Sequence, residues 1–197
     1  MNQHYHKSPV ILITGSSGVG KDTILSKLVA TYPRLSAVTS VTTRWPPREQ
    51  EKFLNDYYFI DDLRFDWLLS TDQLMESTEI YGHRYGTLRA ELERVHQAHK
   101  IPIIEVDPAG TTHYQNSDYD AHIIYLDFPN AEEQKQRLLG REPNMNPEEL
   151  DIRLAKAAEQ RAWAAEQATA GNLKIVINDK IGACLSSIVE NLDLKLK

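Results

Sequence analysis

Near the start of the chain a glycine-rich turn sits between an apolar run and a helix-forming stretch. Val10-Ile-Leu-Ile-Thr14 leads into Gly15-Ser-Ser-Gly-Val-Gly20-Lys21, and helical character follows from Lys21 to Thr31. Glycines let a backbone curl until successive N–H groups point inward, where phosphate oxygens fit. The positive end of the following helix dipole adds to the attraction. Gly15, Ser16, Ser17, Gly18, Val19 and Gly20 therefore form an expected phosphate cradle, with Lys21 reaching the β- and γ-phosphates of ATP. The next position in such loops carries a Ser or Thr hydroxyl for Mg²⁺. Here it is Asp22, followed by Thr23. A carboxylate is also a hard oxygen donor, so Asp22 is expected to hold Mg²⁺, directly or through one water.

The remaining pattern repeats strand and helix. Ser36 to Val41, Ile101 to Val106, His122 to Leu126 and Leu173 to Ile177 read as further strands, several almost continuously apolar, as parallel strands covered on both faces are. Helices are expected over Leu88 to His99, Ala131 to Leu139, Pro147 to Ala170 and Gly182 to Leu194. Asn146-Pro147 reads as an N-cap with proline in the first turn, and Gly140 and Gly171 as helix ends. This alternation predicts an α/β fold with a five-stranded parallel core sheet. Residues 44–87, charged and aromatic, interrupt it and read as a small substrate-binding insertion. Residues 9–43 and 88–197 then form the core, with a lid at about 137–155 and a flexible terminus at 1–8.

Composition narrows the class. With 41% hydrophobic and 25% charged residues the chain reads as globular rather than disordered. A net charge of −6 argues against a nucleic-acid-binding surface. One cysteine, Cys184, makes no internal disulfide, which fits a reducing cytosol. The first residues lack the apolar core of a signal peptide, and no apolar run reaches membrane-spanning length. The expected protein is cytoplasmic, without membrane or nucleic-acid partners, and a monomer or homodimer. Asp107-Pro-Ala-Gly110 is also compatible with the Asp-x-x-Gly of GTPases, but the guanine-reading Asn-Lys-x-Asp is missing, Asn178-Asp-Lys180 being the nearest string.

A longer set of motifs is more specific. From Thr39 the chain reads Thr-Ser-Val-Thr-Thr-Arg44-Trp-Pro-Pro-Arg48-Glu-Gln-Glu51, then Asp56-Tyr57-Tyr-Phe59, Met75-Glu76, Tyr81-Gly-His-Arg-Tyr85-Gly86-Thr87 and Arg137-Leu-Leu-Gly-Arg141. In order and spacing, from about Pro9 to Asp179, this closely resembles guanylate kinase. The resemblance implies the P-loop NTPase three-layer fold and transfer of the ATP γ-phosphoryl group to GMP, with dGMP as a further candidate acceptor. It implies Ser40, Glu76 and Thr87 around the guanine, and Arg44, Arg48, Tyr57 and Tyr85 on the GMP phosphate. It further implies Glu51 holding the arginine pair and Asp107 between base and metal. Arg137, Arg141 and Arg153 match lid arginines that close over ATP, and Asn178 a residue near the adenine. Lys21, Arg44, Arg141 and Arg153 are the expected catalytic set.

The chemistry of these residue types agrees. Guanine presents N1–H and N2–H₂ side by side to one carboxylate, while its O6 accepts from hydroxyls. Arginines and tyrosines hold a phosphate dianion by forked and single hydrogen bonds. From the residues alone, Glu79 competes with Glu76 as guanine reader; the resemblance selects Glu76. The departures cluster near the metal: Asp22, and Glu105-Val-Asp107-Pro-Ala-Gly110 in place of the family's Asp-x-Asp-x-Gln-Gly. The Gly-Lys-Asp form of the loop also resembles ribose 1,5-bisphosphate kinases of the same fold, which need no guanine reader. A non-catalytic guanylate-kinase-like binding module is a third reading, opposed by the intact Lys21 and lid arginines.

Overall fold

The computed structural model describes residues 8–47, 57–80, 82–143, 145–192 and 196. Arg48 and Glu51, together with most of the terminus at 1–8, lie outside the described residues.

In chain order, β1 (Ser8–Gly15) leads into α1 (Lys21–Thr31), followed by β2 (Leu35–Ala37), β3 (Ser40–Thr42) and β4 (Tyr57–Phe59). Next come α2 (Asp62–Ser70), β5 (Leu74–Ile80), β6 (His83–Leu88), α3 (Arg89–Gln97) and β7 (Ile101–Glu105). Then follow α4 (Pro108–Gln115), β8 (Tyr119–Asp127), α5 (Ala131–Arg141), α6 (Pro147–Thr169), β9 (Lys174–Ile177) and α7 (Ile181–Asn191).

Five strands form the core sheet in the order β2-β7-β1-β8-β9, and every pairing is parallel. Alternate side chains of the central strand β1 enter two different apolar layers. Ile11 and Ile13 join Ile24 and Leu28 of α1 and Ile188 of α7. Val10 and Leu12 join Leu92 and Val95 of α3, Tyr114 of α4 and Ala164 of α6. Helices on both faces thus make three layers, and each fully buried aliphatic side chain contributes about 1.5–3 kcal/mol. No helix among the described residues is long and apolar enough to cross a membrane.

A second sheet, β4-β3-β6-β5, stands beside the core. It spans Ser40 to Leu88, slightly more than the expected insertion at 44–87. The run Ser36 to Val41, read from sequence as one strand, is divided between the two sheets: Ser36 pairs with Pro102 in the core, Val41 with Gly86 in the second sheet. The apolar run is continuous because both halves are covered, but Val38 and Thr39 belong to neither strand.

Two further expectations are corrected. Gly140 is not a helix end, because α5 continues through Arg141 and Glu142 caps it by donating its N–H to the Leu138 carbonyl. Residues 108–115 form α4, a helix absent from the sequence reading. Asn146 does cap α6, its Oδ1 accepting from the Glu149 amide at 2.7 Å with Pro147 in the first turn.

Candidate active site

Between β1 and α1, at the carboxyl end of the core sheet, the glycine-rich turn closes into a tight loop. Gly15 has φ of +140°, and a Cβ there would stand 2.3 Å from the Leu126 carbonyl oxygen. Gly20 has φ of +95°, and its Cβ would lie 2.8 Å from Nδ2 of Asn178. No other residue type fits either place. The first turn of α1 has no side-chain cap, so its amides face the loop's hollow. Lys21 Nζ donates to the carbonyls of Gly15 at 2.8 Å and Ser16 at 3.3 Å. It also pairs with Glu105 Oε1 at 3.3 Å.

Glu105 comes from the end of β7. Burial, outweighing the pull of Lys21 and reinforced by the nearby Asp22 carboxylate, pushes its pKa up to about 7. Nearly a third of the side chain still meets the cleft, but Oε2 is enclosed and has no hydrogen-bond partner. Asp22 and Thr23 are exposed in the first turn of α1. Two carboxylates kept close with one lysine between them form a hard-oxygen set that a divalent cation suits. Among the described residues no group of three His, Cys, Asp or Glu could hold a metal.

Asn178, expected beside the adenine, is turned inward. It is 5% exposed and its Nδ2 donates to the Val19 carbonyl at 2.7 Å, so it braces the loop from behind. A Cβ at Gly18 would touch the Leu138 side chain at 3.2 Å, so α5 walls the loop on another side. The Ser16 and Tyr125 hydroxyls are 3.3 Å apart.

Beside the end of β7, where Thr78 of β5 bonds Asp107, the second sheet presents a polar front. Its register places Ser40 opposite Tyr57, Thr42 opposite Phe59 and Tyr85, Glu76 opposite Thr87, and Thr78 opposite Tyr85. Cross-strand partners share a face, so Ser40, Tyr57, Glu76, Tyr85 and Thr87 are brought to one surface. Arg44 follows β3 onto it, 8% exposed, with Nε donating to the Tyr85 hydroxyl at 3.1 Å and its guanidinium 5.8 Å from the Tyr57 ring centre. The Tyr57 and Tyr85 rings meet edge-on at 5.9 Å.

At the inner end of that surface lies a buried acidic pocket. Glu76 is 6% exposed, and its Oε1 accepts from the Thr87 hydroxyl at 2.7 Å. Burial, helped by the charge of Asp107 and opposed by the Thr87 bonds, pushes the Glu76 pKa up to about 7. Asp107 caps α4: Oδ1 accepts from the Gly110 amide at 2.8 Å and Oδ2 from the Thr78 hydroxyl at 2.9 Å. A Cβ at Gly110 would come within 3.0 Å of Glu76 Oε2, so glycine is what lets the two acids converge. Glu79, the competing acid, is exposed.

Of the three arginines expected in a lid, two rest on carboxylates. Arg153 of α6 donates to both oxygens of Glu142, at 3.1 and 2.9 Å, and to Glu149. Arg137 of α5 donates to Glu133 at 2.8 Å and lies over the Phe128 ring. Arg141 is exposed at the end of α5.

Sequence reasoning missed Thr78 and a network at the root of α6. There Arg161 grips Asp127 with Nε at 2.7 Å and Nη2 at 2.9 Å, and the Asp127 carbonyl accepts from the Asn178 amide at 2.8 Å. An acid ending a parallel strand beside the phosphate loop was the available signal for Asp127.

A family model described as guanylate kinase matches residues 6–193. A guanylate kinase of Streptomyces kasugaensis is 37% identical over 156 residues, covering 79% of this chain and 75% of its own. One from Cutibacterium acnes is 33% identical over 192 residues, covering 96% and 93%. The crystal structure of guanylate kinase from Anaplasma phagocytophilum shares the fold, with a TM-score of 0.68 over 94% of this chain and 85% of its own at 24% identity. The likeness runs through both sheets and through α5 and α6 rather than stopping at the phosphate loop, and the chain belongs to the guanylate kinase family.

Proposed function

We propose that the protein transfers the γ-phosphoryl group of ATP to GMP, giving ADP and GDP, with Mg²⁺ accompanying the nucleotide. The observation that carries this is the buried Glu76, bonded to Thr87 and flanked by Asp107, on the second sheet. As a carboxylate, Glu76 accepts the guanine N1–H and N2–H₂ together. Thr87 and Ser40 supply hydroxyls toward O6, and Asp107 stands beside the 2-amino group. A ribose bisphosphate has hydroxyls to donate but lacks the adjacent N1–H and N2–H₂ edge that one carboxylate accepts together.

Arg44, Tyr57 and Tyr85 take the GMP phosphate, with Arg48 and Glu51 as the expected remainder of that grip. The phosphate is already mostly dianionic at neutral pH, its second pKa being about 6, so the acceptor needs no general base. Catalysis then consists of alignment and charge neutralisation. Lys21 leaves the Gly15 and Ser16 carbonyls for the β- and γ-phosphates. Arg137 and Arg153 exchange their glutamate partners for the transferring group, and Arg141 joins them there from the end of α5. Asp22 would hold Mg²⁺, which supplies positive charge to the phosphate oxygens when bound. Domain roles follow: the second sheet binds the acceptor, and α5 with the first half of α6 serves as the lid.

A coupled ADP-release assay tests the reading, with GMP, dGMP, AMP, UMP and ribose 1,5-bisphosphate in parallel. GMP should be turned over fastest, and Glu76→Ala should lose most of that turnover while ATP binding persists. Preference for ribose 1,5-bisphosphate, or full GMP activity in Glu76→Ala, overturns it.

A further inference from the structure

The acceptor-binding sheet joins the core through two chain crossings, residues 38–39 between β2 and β3, and the passage from β6 into α3 at Leu88 and Arg89. One buried carboxylate stands at both. Glu91, in the first turn of α3, is 7% exposed. It accepts from the Thr39 amide at 3.3 Å, inside the first crossing, and from the Tyr58 hydroxyl at 3.2 Å, on β4. Arg94, one turn along α3, holds it by Nε at 3.0 Å and Nη2 at 2.8 Å.

Glu91 belongs to the core side, because α3 buries Leu92 and Val95 in the core layer. Tyr58 belongs to the other side, packed with Val41, Phe65 and Leu74 beneath the second sheet. Adjacent residues of a strand point to opposite faces. Tyr57 points to the front, against Tyr85 and Arg44. Tyr58 therefore points to the rear, and its bond to Glu91 spans the back of the hinge. A hinged sheet that brings its front face toward the phosphate loop draws its rear face away from α3. Burial pushes the Glu91 pKa up, but the bonds from Arg94 and the Thr39 amide outweigh it and leave the carboxylate below its ordinary value. The acceptor end of the link is thus charged at neutral pH, which makes the hydroxyl bond one of the stronger kind.

We propose that Glu91 is a positioning residue that, through Tyr58, holds the acceptor-binding sheet back from the phosphate loop until GMP occupies it. The inference rests on reading that sheet as the GMP site. It gives the resting enzyme a reason not to close on ATP alone. Contacts made by the acceptor offset the broken link, so the site dries and aligns only when the correct nucleophile is present.

The test is Tyr58→Phe, which keeps the ring in its apolar cluster and deletes only the hydroxyl. Three quantities are measured: the ligand-free radius of gyration by small-angle scattering, nucleotide dissociation constants by calorimetry, and melting temperature. With the link gone, the ligand-free variant should be more compact than the parent. GMP should bind about three- to tenfold tighter, the equivalent of one hydrogen bond, with ATP affinity unchanged. A purely structural role predicts a lower melting temperature and no gain in GMP affinity. An unchanged radius overturns the proposal whatever the nucleotides do, as does a parent that binds GMP with a variant that binds it no tighter. A more compact variant of a parent that binds no GMP at all supports the link and overturns the functional reading instead.

Discussion

Single side chains in this site are held in states their ligands must change. Glu76 has a pKa of about 7 in the pocket, mainly from burial, yet in its proposed role it accepts from guanine only as a carboxylate. Guanine binding selects the deprotonated form, so GMP affinity should fall as pH drops below about 7, approaching tenfold per unit, and level off above it. The GMP phosphate adds a shallower dependence of its own, and Glu76→Gln should retain only that; titrations from pH 5.5 to 8.5 distinguish the two. The same shift bears on stability with the opposite sign. Between pH 4.5 and 7 the folded chain keeps a proton that the unfolded chain has lost. Glu76 thus stabilises the fold most at low pH and loses that advantage as pH rises, by about 3 kcal/mol in all. Denaturant unfolding of the parent and Glu76→Gln at pH 5 and pH 8 should show the variant gaining ground at the higher pH. Asp22 makes a separate prediction. Asp22→Asn should raise the Mg²⁺ concentration for half-maximal rate several-fold with stability retained, if its exposed carboxylate serves the metal. If it serves only the start of α1, metal dependence stays put and about 0.3–1 kcal/mol of stability goes instead.

Whole elements were legible where burial on both faces made the sequence apolar. The core strands and α1 follow from that signal, and the start of α1 from the glycine loop. The strands of the second sheet were not legible, and the reason is functional. On β5 and β6 the positions that alternate onto the front face are Glu76, Thr78, Tyr85 and Thr87, chosen for a polar ligand, so the period-two apolar pattern disappears. α4 was hidden differently: Asp107-Pro-Ala-Gly110 has turn composition, although Asp-Pro is an N-cap pair of the same kind as Asn146-Pro147, which did announce α6. The guanine-site candidates came from motif resemblance and converge on one face. The bond from the Asn178 amide to the Val19 carbonyl was not legible, because sequence does not say which way an amide points. Its observed position makes an element-scale prediction. Asn178→Ala removes the bond to the Val19 carbonyl and leaves a buried acceptor unpaired, so the loop should loosen. KM for ATP should rise several-fold while KM for GMP stays near the parent value. Equal changes in both would assign Asn178 to general stability.

At the scale of the molecule, the phosphate loop and the second sheet differ in how finished they are before anything binds. The phosphate loop is pinned by the Leu126 backbone, the Leu138 side chain, Tyr125 and Asn178, which come from three separate parts of the core. Its conformational entropy is surrendered when the chain folds, not when ATP arrives. On the proposed function the acceptor surface is assembled too, but it reaches the loop only when GMP draws the sheets together. These two conditions have different calorimetric signatures. ATP entering a rigid polar cradle should change the heat capacity little. GMP, by drawing the sheets together, should remove apolar surface from water and give a distinctly negative heat-capacity change, larger still when a non-hydrolysable ATP analogue is already bound.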